Sequence, residues 1–364
     1  MPRVIGVDPG TVSIDVCGLD DGRVFLDESF PTREALADPA RFVALLDSRA
    51  PVDLIAGPSG YGLPLRRAHE LTEADMRLAF LSWDGERGGI GGLRSLARAL
   101  AASGLPVVFT PGVVHLPTVP AYRKVNRVDM GTADKVCATV LAVRDHAQRH
   151  GSAIADVSLI LLELGGAFSA AIAVERGQIV DGLGGSSGPI GVRAPGALDG
   201  EVAYLAGTVT KQMLFEGGAG AVAGEDLDDM SWLVTPETPG AKVAWFAFME
   251  GAVKAVATLL VSAPSAREVV LSGRTSTFDR VRTDLTRRLS ALAPHIAVHA
   301  LRGLAKVAKQ GAQGAALVAD GLAGGRESEL VSTLGVRRAS GTALDHLVPM
   351  WRDIARARLG IVDA

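Results

Sequence analysis

Short apolar runs separated by turn residues open the chain. Residues 3–8, 12–19 and 23–26 each carry the hydrophobic pattern of a strand. From 32 to 48 the apolar positions recur at helical spacing, with Thr32 as N-cap and Glu34 in the first turn. A buried strand is predicted at 52–56, ending at Gly57-Pro58-Ser59-Gly60, and an irregular Gly- and Arg-rich stretch fills 61–92. A helix at 93–102, a strand at 107–110 and, past a Pro-rich loop, a long helix at 132–149 complete the first half. The same series then returns: strands at 157–164, 168–175 and 178–181, a Gly-rich stretch with short helices to 240, and a helix at 241–262. A strand at 268–272, a helix at 278–291, a strand at 296–300 and a helix at 312–322 follow, then an amphipathic segment at 341–359.

Each half therefore reads βββαβαβα, an internal duplication of element order. The expected fold class is α/β: two duplicated domains, each a mixed five-stranded sheet with flanking helices, and a cleft between them. The first is expected over 1–150 with an insertion around 58–92, the second over 151–340 with an insertion around 183–240. Residues 341–364 are expected to pack a helix back across the domain boundary.

With 364 residues, 48% hydrophobic and 21% charged, the chain can bury two sizeable cores. A net charge of −3 gives no electrostatic footprint for nucleic acid or an anionic membrane. Cys17 and Cys137 stand in apolar surroundings without CxxC spacing, which predicts buried, reduced thiols. The N-terminus enters a strand with no basic and apolar leader pattern, so a cytoplasmic location is expected. The apolar stretch 251–264 is too short to span a bilayer and contains Lys254.

The chemistry concentrates at two hairpins. In the first, an apolar strand runs into Asp8-Pro9-Gly10-Thr11 and a second strand leaves at once. A carboxylate beside backbone N–H groups at a tight turn suits Mg²⁺-nucleotide chemistry, because a hard cation shares oxygen ligands with phosphates. The near-repeat at Glu163-Leu164-Gly165-Gly166, with Ser169 opening the next strand, makes a second such tip. Facing each other, two tips could hold phosphates between two domains.

With its paired motifs in order, the chain resembles the actin-like ATPase superfamily of actin, heat-shock chaperones, sugar kinases and acetate kinases. The resemblance implies duplicated ribonuclease H-like domains with ATP and Mg²⁺ between them. Asp8-Pro9-Gly10-Thr11 resembles the first phosphate motif and Glu163-Leu164-Gly165-Gly166 the second, with Glu where many relatives have Asp. The run from Val270 to Ser276 resembles the adenosine motif, with the single Gly273 followed by Arg274 where a Gly-Gly pair is more usual. The Gly- and Ala-containing helices 132–149 and 311–322 resemble the two connecting helices. The Gly-rich loop 182–200 carrying Arg193, together with Asp129 to Lys135, is similar to the acetate and butyrate kinase branch and to an uncharacterised butyrate kinase-like family.

The roles that follow are expectations. Asp8 and Glu163 would hold Mg²⁺; Gly10, Thr11, Gly165, Gly166, Ser169, Gly273 and Arg274 would contact ATP. Arg193 would meet an acceptor carboxylate or the transferring phosphoryl group. Asp134 would act on metal or substrate, and Asp129 or Asp134 would serve as base for an alcohol acceptor. Each has a plainer reading: turn chemistry for the hairpin residues, solvent for the arginines, the helix dipole for the aspartates. Asp199 reads better as an N-cap than as a catalytic group. Arg123, Lys124 and Arg127 enrich the neighbourhood of Asp129, and Arg66, Arg67 and His69 would select an acidic substrate if their loop faces the cleft.

His146 and His150 have metal-ligand spacing, yet no carboxylate lies between them and the last turn of a helix favours His for its dipole. They are set aside. A nucleophile elbow at Gly184–Gly188 and a dinucleotide fingerprint at Gly218 lack the required strand context, and no Gly-Lys dipeptide supports a Walker loop. The expected activity is a kinase acting on a small carboxylic acid. A sugar or polyol kinase and an ATP-driven conformational switch are the alternatives. The C-terminal helix is compatible with a homodimer.

Overall fold

The computed structural model describes residues 1–58, 60–83, 92–224 and 230–361. Ser59, part of the expected insertion at 58–92 and five residues of the one at 183–240 lie outside the described residues.

The first sheet is built from β1 (Arg3–Pro9), β2 (Ser13–Asp20), β3 (Arg23–Pro31), β4 (Leu54–Pro58), β5 (Arg66–Arg67) and β6 (Val107–Thr110). The second contains β7 (Leu159–Leu164), β8 (Ser169–Glu175), β9 (Gln178–Leu183), β10 (Glu268–Ser272) and β11 (Ala297–Ala300). Their orders are β3-β2-β1-β4-β6-β5 and β11-β10-β7-β8-β9. Read from the third strand of each half, the two are the same arrangement. A meander of antiparallel strands is followed by two parallel additions. The one difference corrects the expected five strands: Arg66 and Arg67, read as irregular, pair antiparallel with Phe109 and Val108 as a sixth.

Helices cover both faces. On the first half these are α1 (Thr32–Ala37), α2 (Pro39–Asp47), α3 (Glu73–Phe80), α4 (Leu93–Ala102), α5 (Ala121–Lys124) and α6 (Ala133–His150). After β9 come α7 (Gly200–Ala206), α8 (Ala219–Ala223), α9 (Pro239–Leu260), α10 (Asp279–Leu292), α11 (Gln310–Leu322), α12 (Ser328–Thr333) and α13 (Pro349–Leu359). The helix expected over 32–48 is two helices, because Pro39 has no N–H to continue the first and Asp38 caps the second through Arg41 N, 3.0 Å.

Strand alternation sorts the side chains into three cores. Ile5, Ile14, Phe42 and Leu96 pack outside the first sheet, and Ile160, Leu162, Trp232 and Phe248 outside the second. Between the sheets lies a shared core in which α6 and α11 meet Val4, Cys17, Leu159, Leu161 and Ile172. Small residues permit this: a Cβ on Gly6 would stand 2.1 Å from Ala316 N, and one on Gly314 would stand 1.8 Å from Cys137 O. α11, the product of the second half, thus packs on the first sheet. Cys17 and Cys137 are buried and free.

α9 has the 22 residues of the helix expected at 241–262, set two residues earlier. Its 22 residues are by length and composition enough to cross a bilayer, and here Ala244, Trp245, Phe248, Met249 and Leu259 are buried against the second sheet. The segment expected as a helix from 341 is helical only from Pro349. Leu344 and Leu359 join the outer core of the first sheet, and Arg77 Nη1 donates to Gly360 O at 3.0 Å.

Candidate active site

Both hairpin tips lie at the edge of the shared core. At the first, Gly10 N donates to Ser13 O (3.0 Å), and Thr32 Oγ1 donates to Gly10 O (2.7 Å), leaving Thr11 exposed at the apex. Asp8 is buried with its carboxylate against the start of α11, where a Cβ on Gly311 would fall 2.4 Å from Oδ2. At the second, Gly165 N donates to Phe168 O (2.9 Å). The turn after β10 closes on it: Thr275 Oγ1 donates to Leu164 O (2.9 Å), and Gly273, at φ +85°, leaves no room for a Cβ beside that same carbonyl. The Arg274 side chain passes Gly166. Arg193 N donates to Ala167 O (3.0 Å), which sets this half-buried arginine beside the second tip.

The first turn of α6 joins the two halves. Lys135 Nζ lies 2.6 Å from both Asp134 Oδ2 and Glu163 Oε1, and the Thr132 hydroxyl donates to Asp134 Oδ1. Lys309, at the N-cap of α11, lies 3.0 Å from the buried Asp15 and reaches Ser13 O. Asp8, Asp15, Asp134 and Glu163 thus face Lys135 and Lys309, four carboxylates to two ammonium groups. Burial and then the Asp134 charge raise the Asp8 carboxyl to about 7, against the pull of Lys309 and Lys135. Burial, reinforced by Asp134, also raises Glu163 despite Lys135. For Asp134 burial works the same way, but Lys135 and its hydrogen bonds outweigh it and hold the carboxyl low. Burial opposes the charge on Lys135 too, yet its two carboxylates carry it above its ordinary value.

Other candidates are placed differently. Ser169 pairs with Leu164, so it points to the opposite face of the sheet from Glu163. Its hydroxyl is buried and has no hydrogen-bond partner among the described residues. Asp129 is fully engaged: Gly131 N donates to Oδ1 (3.1 Å), while Ser186 N (2.9 Å) and Ser186 Oγ (2.7 Å) donate to Oδ2. It ties the Gly-rich loop to the approach of α6. The basic cluster expected to enrich the site is spent on carbonyls. Arg123 donates to Val180 O, Lys124 to Leu116 O and Arg127 to Gly182 O. Asp199 caps α7 through Glu201 N, 2.8 Å. Arg67 and His69 line a cavity of about 620 Å³ with Asp53, Leu105, Leu322 and Arg337, at the ends of β4 and β6 opposite those nearest Asp8.

Asp15 and Lys309 are site residues that sequence reasoning missed. For Lys309 the duplication held the signal: it stands at the start of α11 as Asp134 and Lys135 stand at the start of α6.

Two duplicated mixed sheets around paired central helices, with a charged cluster where their hairpins meet, define the actin-like ATPase fold. Solved structures of this fold match along most of the chain. A propionate kinase from Francisella tularensis subsp. tularensis has a TM-score of 0.62 at 14% identity, covering 86% of this chain and 99% of its own. An acetate kinase from Entamoeba histolytica has 0.59 at 12%, covering 80% and 87%. A putative N-acetylmannosamine kinase from Listeria monocytogenes has 0.51 at 14%, covering 86% and 97%. No curated protein matches the chain in sequence. The chain belongs to the family described as "Protein of unknown function (DUF1464)", which matches residues 6–349.

Proposed function

We propose that the protein is an ATP- and Mg²⁺-dependent phosphotransferase that converts a small carboxylic acid, of the acetate or butyrate kind, to an acyl phosphate. The charge cluster that joins the two hairpins carries this reading. Its carboxylates outnumber its ammonium groups, and no described residue donates a hydrogen bond to the Asp8 carboxylate. An oxygen-rich set short of positive charge fits a hard divalent cation. Asp8 and Glu163 would hold Mg²⁺, which supplies neutralisation of phosphate charge when bound. Gly10 and Thr11 on one side, and Gly165 and Gly166 on the other, would meet the phosphates. Gly273 and Arg274 would face the nucleoside.

Arg193, beside the second tip, would clamp the acceptor with its planar fork of donors. A carboxylate oxygen of the acceptor bonds to the γ-phosphorus as the bond to the departing ADP oxygen breaks. The acceptor is already ionised, so no proton has to move. A hydroxyl acceptor would require a base. Asp129 is saturated with donors and Asp134 is ion-paired, which supports the carboxylate reading over the sugar or polyol one. The acetate and propionate kinases among the similar structures support it as well.

The test is ATP turnover with a panel of short-chain acids, trapping acyl phosphate with hydroxylamine. Hydroxamate formed with one or more acids is the expected result. Phosphorylation of a sugar or polyol without hydroxamate would refute the acceptor class. ATP hydrolysis indifferent to every acceptor would favour the conformational switch.

A further inference from the structure

The histidine pair set aside for want of a carboxylate acquires one in the fold. His146 and His150 lie one turn apart near the end of α6, their ring centroids 4.5 Å apart. Glu268, the first residue of β10, meets both: its Oε1 is 2.7 Å from His150 Nε2 and its Oε2 is 3.7 Å from His146 Nε2. The donor atoms of the three all lie within 4.8 Å of one another. From the neighbouring β11, His299 Nε2 comes to 3.7 Å from Glu268 Oε1. We propose that His146, His150 and Glu268 form a site for a borderline divalent transition metal, zinc foremost, which the half-exposed His299 completes by turning its ring in from the rim.

Zinc bonds to nitrogen and oxygen of about 2.0–2.1 Å put tetrahedral donors about 3.3 Å apart, inside the spread observed here. Three imidazoles and one carboxylate suit zinc or cobalt, whereas magnesium prefers an all-oxygen shell. The site is therefore chemically distinct from the hairpin cluster. It is also remote from it, since His146 lies 12 residues beyond Asp134 on one helix, about 18 Å along the axis.

Among the described residues Arg149 is the competing cation. Its Nη2 lies 2.7 Å from Glu268 Oε2 and its Nε 3.1 Å from Asp145 Oδ2. Its Nη1 also lies 3.1 Å from Glu268 Oε1 and 3.2 Å from His150 Nε2, so a bound ion has to displace this end of the guanidinium while Asp145 and Oε2 retain the rest. With neutral imidazoles, Asp145, Glu268 and Arg149 sum to −1, so a divalent ion leaves only a single positive charge. That charge sits beside His150 and His299, whose side chains are 47% and 46% exposed. Bound metal would fasten the end of α6 to β10 and β11.

The experiment uses untagged full-length protein stripped with chelator and titrated with Zn²⁺ or, separately, Co²⁺. We expect about one ion per chain at micromolar or tighter affinity, with the intense visible bands of tetrahedral Co²⁺. His150→Ala and His299→Ala, at half-exposed positions that do not threaten folding, should each weaken binding at least about 10-fold. Glu268→Gln should abolish the bands, and His69→Ala should leave them unchanged. Circular dichroism of the metal-free variants verifies the fold. No visible bands, or unchanged affinity in both exposed histidine variants, overturns the proposal. None of these readouts depends on catalytic activity.

Discussion

Replacing Lys135 with Met tests the bridge between the two halves of the molecule. Met keeps most of the aliphatic stem and removes only the cation that lies 2.6 Å from Asp134 and 2.6 Å from Glu163. Removing one member of a buried ion pair costs about 3–5 kcal/mol. The Asp134 and Glu163 side chains keep 27% and 15% exposure, which places the expected loss near the lower end, about 3 kcal/mol. The pH dependence identifies the cause. Without Lys135 the Asp134 carboxyl, held low in the wild type, rises, and Glu163, already raised, rises further, so the folded variant binds more protons than the folded wild type. The loss is then complete above the raised values and vanishes only below the lowered Asp134 value of the wild type.

Urea unfolding followed by tryptophan fluorescence should show a deficit of about 3 kcal/mol near pH 8 that shrinks steadily as pH falls through the carboxylate range. Adding Glu163→Gln to Lys135→Met should restore about 1 kcal/mol or more, because one of the stranded charges is gone. A deficit independent of pH, or additivity of the two substitutions within about 0.5 kcal/mol, would refute the charge-bridge account.

Asp8, raised to about 7 by burial and Asp134, holds a proton in the folded state that the unfolded chain loses near 3.8, so stability should fall as pH rises through that window. Asp8→Asn should flatten the fall in urea midpoint; an unchanged slope assigns it elsewhere. Gly314→Val drives side-chain atoms into the Cys137 carbonyl and should cost at least about 3 kcal/mol in the same assay. A loss under about 0.5 kcal/mol would contradict the close crossing of α6 and α11. Asp129→Asn keeps one acceptor oxygen in place of two charged ones and should cost about 1–3 kcal/mol at the Gly-rich loop. Limited proteolysis should cut near residues 183–188 faster than in wild type, and equal rates would show that Asp129 does not pin the loop.

Period and turn chemistry carried a large share of this molecule. Among the described residues ten of the eleven strands arise from runs of apolar residues bounded by Gly, Pro or Asp, and their order alone exposed the duplication that both sheets repeat. The missing strand, Arg66–Arg67, shows the limit. Two arginines have no hydrophobic pattern, and only the free edge of β6 makes them a strand. The same contrast holds at the site. Asp8, Gly10, Gly165 and Gly166 were legible because a hairpin tip is local, set by consecutive residues. Glu163 was legible as an acidic strand end, but that it shares Lys135 with Asp134 depends on α6 crossing the sheet.

Sequence by itself thus determined most of the elements, their duplicated order and the two glycine tips, since each rests on backbone preferences over a few residues, while the helix Glu73–Phe80 stands in a stretch that read as irregular. Tertiary structure alone decided which charges face one another. It turned Ser169 away from Glu163, spent Asp129 on the Gly-rich loop, brought Lys309 to Asp15 and laid Glu268 beside His146 and His150. Coulomb energies and hydrogen bonds act across space between residues far apart in the chain, and one strand register or one helix crossing selects the partners.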